Sequence, residues 1–416
     1  MTPTPRAALA LAAVALSLLV LPVSVALLAA LALAAATAVD AWWARRRPTV
    51  ERQAPAVLAR GVPAPFALQV SEGHAPSVRV RQPLPPDLLL EPASERDGGL
   101  EATLVARRRG RHPLPAAAAR RRGPLGLAAW THRVEESAEV VVYPDLPAAR
   151  RLASAVRAGR FRDEGLRRRG PLGLGTEFES VREYSPDDDI RQVNWRATAR
   201  LGRPMSNQYR VERDRDVVCV VDCGRLMAAP FADRTRLDAA LDAAVAVAAV
   251  ADVLGDRCGA IAFAGEVLRS LPPRRAGARD VAQSLFDLEP RPVDSDYELA
   301  FQHVRGAKRA FVLVLTDLLE ESAARPLVEA LPVLARRHAV AVAGASDTDL
   351  EAAVSAPPRA AADVYRAAVA LDVLDARARV TAQLRHVGAD VVEAPPEVLA
   401  AACIRAYLRA KWAARF

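Results

Sequence analysis

The stretch Asp216-Val217-Val218-Cys219-Val220-Val221-Asp222 decides the fold. Its apolar residues run without alternation between two aspartates, so both faces of such a strand are buried, as in a parallel sheet covered by helices. Working outward, the same unbroken pattern recurs at Gly259 to Phe263, Phe311 to Leu315, Ala339 to Val342 and Asp390 to Val392. Helical periodicity fills the intervals at Arg236 to Leu254, Ala278 to Leu288, Glu298 to Val304, Glu320 to Arg337, Ala361 to His386 and Pro396 to Trp412. Strands and helices in alternation predict a doubly wound α/β domain over residues 216–416. Arg236 to Leu254 is apolar enough to be mistaken for a membrane span. Asp238, Asp242 and Asp252 interrupt it well before the ~20 residues a bilayer needs, so it reads as a buried core helix.

Toward the N-terminus the pattern changes twice. Residues 48–145 show short alternating runs, among them Phe66 to Val70, Val78 to Val80 and Glu139 to Tyr143, separated by Pro and Gly. They predict a small β-sandwich of about six or seven strands. Residues 146–215 then hold a connecting helix from Ala148 to Arg160, a basic Gly-punctuated linker and an unusual polar segment. From Ala7 to Val39 there is no charged residue. At about 1.5 Å per residue that run would be about 50 Å of helix, too long for one pass through a hydrocarbon core of about 30 Å. Two passes turning at Leu21-Pro22-Val23-Ser24 are expected, so residues 1–47 read as a transmembrane helical hairpin with Trp42 and Trp43 at its interfacial end. The run also exceeds the apolar part of a cleaved signal peptide, about 7–15 residues. Arg6 and Arg45 to Arg47 then share one side of the membrane, which the excess of inward positive charge makes the cytoplasm.

The chain of 416 residues carries a formal charge of +8, nearly all of its bases Arg, with runs at 45–47, 107–109, 120–122 and 167–169. No aromatics interleave with these runs as a single-stranded nucleic-acid face requires, so they read mainly as solvated surface. Cys219, Cys223, Cys258 and Cys403 form no Cys-x-x-Cys pair and lie in apolar runs, as reduced core residues do. No histidine has a nucleophile elbow or a cysteine beside it, and no Gly-x-x-x-x-Gly-Lys loop is present. Acyl-enzyme chemistry and ATP hydrolysis are thereby disfavoured, and the chain is expected not to be an enzyme.

Ligands of an open α/β sheet bind beyond the carboxyl ends of its strands. Asp222, Ser295 with Asp296, and Thr316 with Asp317 fall there. This layout resembles the metal-ion-dependent adhesion site of von Willebrand factor A domains, in which Asp-x-Ser-x-Ser, a Thr and an Asp supply oxygens to Mg²⁺. Gly224 and Leu226 stand where the resemblance calls for serines. Asp222, Ser295 and Asp317 remain as metal ligands of a degenerate site, with no cofactor expected beyond weak Mg²⁺. The expected partner-binding face comprises Asp222, Arg225, Ser295, Asp296 and Asp317.

The segment Gly175-Thr176-Glu177-Phe178-Glu179-Ser180-Val181-Arg182-Glu183-Tyr184-Ser185-Pro186-Asp187-Asp188-Asp189-Ile190-Arg191-Gln192-Val193-Asn194-Trp195-Arg196-Ala197-Thr198-Ala199-Arg200 carries a second resemblance. It is similar to the signature of a membrane-anchored bacterial family, number fifty-eight in the domain-of-unknown-function series. Gly175, Glu177, Phe178, Arg182, Tyr184, Asp188, Asp189, Arg191, Trp195, Ala197 and Arg200 match that signature, while Asp187 replaces a Gly and Asn194 an Asp. The resemblance implies the order hairpin, β-rich region, signature and A-like domain, and a MoxR-type AAA+ ATPase or other A-domain membrane proteins as partners. Within the signature, Arg–carboxylate pairs are expected to lock the segment while Trp195 fills a groove. The chain therefore reads as a membrane-tethered adaptor at the bacterial inner membrane with a cytoplasmic body. The alternatives are a metal-dependent hydrolase built on Asp187 to Asp189 with Asp222 and Asp317, and an Arg-rich binder of nucleic acid or lipid surface.

Overall fold

A computed structural model describes residues 2–71, 78–92, 94–161, 177–185, 190, 193–210, 214–231, 234–304, 309–317 and 321–413. The chain divides into two compact units, Met1–Tyr143 and Pro144–Phe416.

In the first unit two apolar helices, α1 (Pro5–Ser17) and α2 (Val23–Ala44), form a hairpin. Among the described residues only α2 is long and apolar enough to cross a membrane, with 22 residues and a mean hydropathy of 2.1. Of the two short passes expected, one is matched by a helix of spanning length and the other by the shorter α1. The 13 residues of α1 reach about 20 Å, because Ser17 returns its hydroxyl to Val14 and the chain leaves the helix before Pro22. The sandwich behind the hairpin has more strands than expected, since several are only three or four residues long, too short to show an alternating pattern. A five-stranded, a four-stranded and a three-stranded sheet enclose one core, in which Phe66, Leu68, Val80, Leu88, Leu104 and Val142 are buried.

Both roots of the hairpin are fastened to one loop of the sandwich. Thr4 donates its N–H to the Leu127 carbonyl and its hydroxyl to the Gly126 carbonyl, and Thr2–Pro3 pair with Ala128–Ala129. At the other root the fully buried Asp40 accepts the N–H groups of Leu125, Leu127 and Ala128 at 2.7, 2.7 and 2.8 Å. A Cβ on Gly123 would collide with Asp40, so that position has room only for glycine.

The second unit is built on a six-stranded sheet: β1 (Asp216–Asp222), β2 (Arg257–Phe263), β3 (Val267–Arg274), β4 (Ala310–Leu315), β5 (Ala339–Ala345) and β6 (Asp390–Ala394). Their spatial order is β3-β2-β1-β4-β5-β6, with β3 an antiparallel edge and the other five parallel. Every residue of β1 and β4 is buried, as the unbroken apolar runs require. The connecting helices are α3 (Leu146–Arg157), α4 (Trp195–Leu201), α5 (Arg236–Leu254), α6 (Ala278–Leu285), α7 (Tyr297–Val304), α8 (Glu321–Ala335), α9 (Thr348–Ser355), α10 (Ala361–His386) and α11 (Pro396–Trp412). Helices α7, α8 and α10 close one core with the sheet, through Phe301, Leu327, Leu331, Val380 and Leu384. Helix α5 is the expected core helix, opened by the capping box of Thr235 and Asp238 and packed against α3 and α11. All four cysteines are free and buried.

The order of the parallel strands reverses between β1 and β4. That junction is the topological switch point, beyond whose carboxyl ends a crevice opens.

Candidate functional site

Asp222 closes β1 at the switch point and is 3% exposed. Its Oδ1 accepts the Gly224 N–H at 2.7 Å and the Ser295 hydroxyl at 2.5 Å. The Tyr297 and Thr316 hydroxyls lie 2.9 and 2.7 Å from Oδ2, and 2.8 Å from each other. Four hydrogen-bond partners thus converge on one carboxylate, which is what a buried charge needs. Burial and the adjoining Asp222 charge push the Tyr297 phenol well above its usual range, so it stays a protonated donor at physiological pH. A Cβ on Gly224 would collide with the Ser295 hydroxyl. Glycine at that position therefore admits the short Ser295–Asp222 contact that a serine side chain would displace.

Asp317, in the loop after β4, meets a different neighbour. Arg236, the first residue of α5, is buried and places one guanidinium nitrogen 2.7 Å from the Asp317 carboxylate and the other 3.5 Å from Asp347. The Asp317 carboxylate that a Mg²⁺ would use instead faces an internal, permanently charged cation. The donor set at the strand ends therefore does not fit an octahedral Mg²⁺. Among the described residues no group of three or more His, Cys, Asp or Glu is placed to hold a metal ion.

Of the residues read from sequence as a shared metal set, Asp222 and Ser295 do meet, while Asp317 joins Arg236 and Asp347. Asp296 is exposed and caps α7 by accepting the Leu299 N–H. Arg225 pairs with Asp294 at 2.5 Å on the exposed rim. Sequence reading assigned no role to Tyr297, Arg236 or Asp347. The available signal was Arg236 itself, the one cation of a largely apolar helix, placed directly after its cap Thr235.

Two hollows adjoin the site. One of about 220 Å³ is lined by Asp222, Arg225, Leu226, Asp294, Ser295, Tyr297 and Pro326. The other, about 710 Å³, runs between α7 and α8 with Phe301, Ala330 and Leu334 among its apolar lining and Asp294, Asp296, Glu298 and Glu329 as its acids. Asp294, Ser295, Tyr297 and Pro326 line both.

The signature segment forms an arm in which Glu177–Glu183, holding Glu177 and Phe178, pairs with Met205–Arg210, and α4 lies between the two strands in the chain. Gly175, Asp187 to Asp189 and Arg191 lie outside the described residues. Asn194 caps α4 by accepting the Ala197 N–H at 2.9 Å, the task a carboxylate would perform there. The expected burial of Trp195 is corrected: its ring is 70% exposed at the first turn of α4, beside exposed Arg196 and Arg200. The helix has seven residues and none of them is buried, so it supplies no groove for the ring. Arg182 donates to the Glu183 carbonyl, and Glu183 meets Arg203 at 3.7 Å, both on the surface.

Comparison with known proteins agrees with the signature. The chain is 27% identical over 153 residues to an uncharacterized protein of Mycobacterium bovis and, at the same identity, to uncharacterized proteins of two strains of Mycobacterium tuberculosis. The matched region covers 35% of this chain and 48% of each relative, so the chain spans about half the length of the curated relatives it matches. Residues 180–356, from within the signature through the switch-point site to the helix after Asp347, match the model of the family described as a protein of unknown function, DUF58.

Proposed function

We propose that the chain is a membrane-tethered, protein-binding adaptor whose α/β unit is a von Willebrand factor A-like domain with a locked, metal-independent site. One observation carries this reading: the switch-point carboxylates are committed internally, Asp222 to four partners and Asp317 to Arg236. Groups so committed hold a surface in shape and are withdrawn from service as general base or metal ligand. What the surface offers instead is the α7–α8 groove, an apolar lining along which four acids outnumber Arg337 and His338, next to the exposed Arg225–Asp294 pair. Such a surface suits a cationic, partly apolar segment of a protein partner. Resemblance to the family supplies the partner's class, a MoxR-type AAA+ ATPase. Tethering raises its local concentration at the membrane. In this reading α2 crosses the bacterial inner membrane and the body is cytoplasmic. Residues Asp222, Ser295 and Asp317 shape the face, while Arg225, Asp294 and Asp296 touch the partner.

The test is cross-linking in cells with the full-length chain, followed by charge reversal at Arg225 and Asp296. Recovery of an AAA+ protein, lost on reversal with the melting temperature unchanged, is the expected result. A complex that survives both reversals sinks this docking face, and recovery of no AAA+ protein sinks the partner assignment.

A further inference from the structure

Membrane insertion of the hairpin, taken from the reading above, leaves one surface of the first unit unexplained. The loop that fastens Thr4 and Asp40 brings both helix roots to one level, and cations gather at that level. Arg6, one residue into α1, lies against the loop glycine Gly126. Directly after α2, Arg45 lies with its guanidinium 5.0 Å from the Trp130 ring centre. Arg46 sits 5.2 Å from the Trp42 ring centre and 4.0 Å from that of Trp43. On the adjoining strand Arg120 reaches the Thr2 hydroxyl at 3.2 Å, which puts it beside the α1 root as well. Arg6, Arg45, Arg46 and Arg120 are all exposed, while Asp40, the carboxylate at the α2 root, is buried under three backbone N–H groups.

The aromatic residues fix the depth of this collar. Trp42 and Trp43 are 59% and 39% exposed, and Leu125 at the loop tip is 54% exposed. Indoles and a leucine left open in water are unfavourable, whereas at the boundary of headgroups and acyl chains they are solvated on both sides. Stacking on the indole faces holds the guanidiniums outward at headgroup depth while leaving their N–H edges free to donate. We propose that this collar is a binding site for anionic phospholipid, with Arg6, Arg45 and Arg46 donating to the headgroup phosphodiester and Trp42 and Trp43 packing on its glycerol backbone and upper acyl chain. Both helix roots contribute, so the site exists only when the hairpin is seated on the sandwich.

Full-length chain in nanodiscs tests this, with dansyl-labelled phosphatidylglycerol or dansyl-labelled phosphatidylcholine as a trace lipid in a phosphatidylcholine bilayer. Energy transfer from tryptophan should report local enrichment of the anionic probe by about fivefold or more over the zwitterionic one, the order expected for even one guanidinium at an anionic surface. The enrichment should fall as salt is raised and vanish in the triple variant R6Q/R45Q/R46Q. It should persist in Arg111→Gln, whose side chain pairs with Glu139 in another sheet of the sandwich. Equal transfer from both probes in the unaltered chain, or enrichment that survives the triple change or high salt, overturns the collar. A chain that does not enter the nanodisc at all overturns the membrane reading together with it.

Discussion

Arg236 shows how much a single residue settles at this site. Its guanidinium and the Asp317 carboxylate are both almost fully buried, and breaking such a pair by removing one partner leaves an uncompensated charge worth about 3–5 kcal/mol. Arg236→Ala should therefore lower unfolding free energy by about that amount in a denaturant melt of the protein. A loss under about 1 kcal/mol would mean that Asp317 had reached solvent on its own. Millimolar Mg²⁺ should leave the melting temperature of the unaltered chain unmoved, because a ligand stabilises only where the native state binds it. His338 gives a pH handle on the same unit. It lines the α7–α8 groove and accepts the Ala310 N–H through Nδ1 at 3.2 Å, and burial, helped by Arg337, lowers its pKa below the ordinary 6.5. A depressed folded-state pKa means that the unfolded chain takes the proton first, so stability is full above about pH 6.5 and is lost as pH falls toward the folded value. Melting temperature should thus drop between pH 7 and 5.5, and the drop should shrink in His338→Gln. Equal slopes for the two proteins would count against it.

At the residue scale the sequence exposed only part of this. Asp222, Ser295 and Asp317 were legible because strand ends in an alternating α/β pattern say where polar residues gather. Arg236 and Tyr297 were not, because their partners lie 81 and 75 positions away in the chain and no local period reports them.

Among the elements, β1, β2, β4, β5 and β6 were readable from sequence because burial on both faces writes a continuous apolar run. Edge strand β3 was missed: it is half exposed, carries Pro272 and Pro273, and so shows no such run. Helix α9 escaped notice for the same reason, having no buried residue. The arm around α4 brings a different prediction. A ring 70% exposed contributes little to stability, so Trp195→Ala should change unfolding free energy by no more than about 0.5 kcal/mol. Loss of partner recovery with an unchanged melt would make the arm a second contact of the adaptor. Helix α11 is held in the opposite way. The Lys411 ammonium lies 2.6 and 2.8 Å from the two oxygens of the fully buried Asp256, and Tyr407 donates to the same carboxylate. Lys411→Ala should cost about 3–5 kcal/mol in the same melt, and a neutral outcome would contradict that lock.

For the whole molecule, the apolar N-terminal run announced a helix long and apolar enough to span a membrane, while its division into one such helix and one short helix depended on where Ser17 and Pro22 end the first. Full-length protein should stay with the membrane pellet through an alkaline carbonate wash, since apolar burial is indifferent to charge screening. Release into the supernatant would refute insertion. The seating of Asp40 has a practical corollary for anyone who trims the chain. Cutting at Arg45 to obtain a water-soluble body would delete the acceptor of three amide protons at Leu125, Leu127 and Ala128 and unpair the strand at Ala128–Ala129. What looks like a detachable leash is the plug of the sandwich, and removing it would yield a body that sheds protection from hydrogen exchange first at this loop.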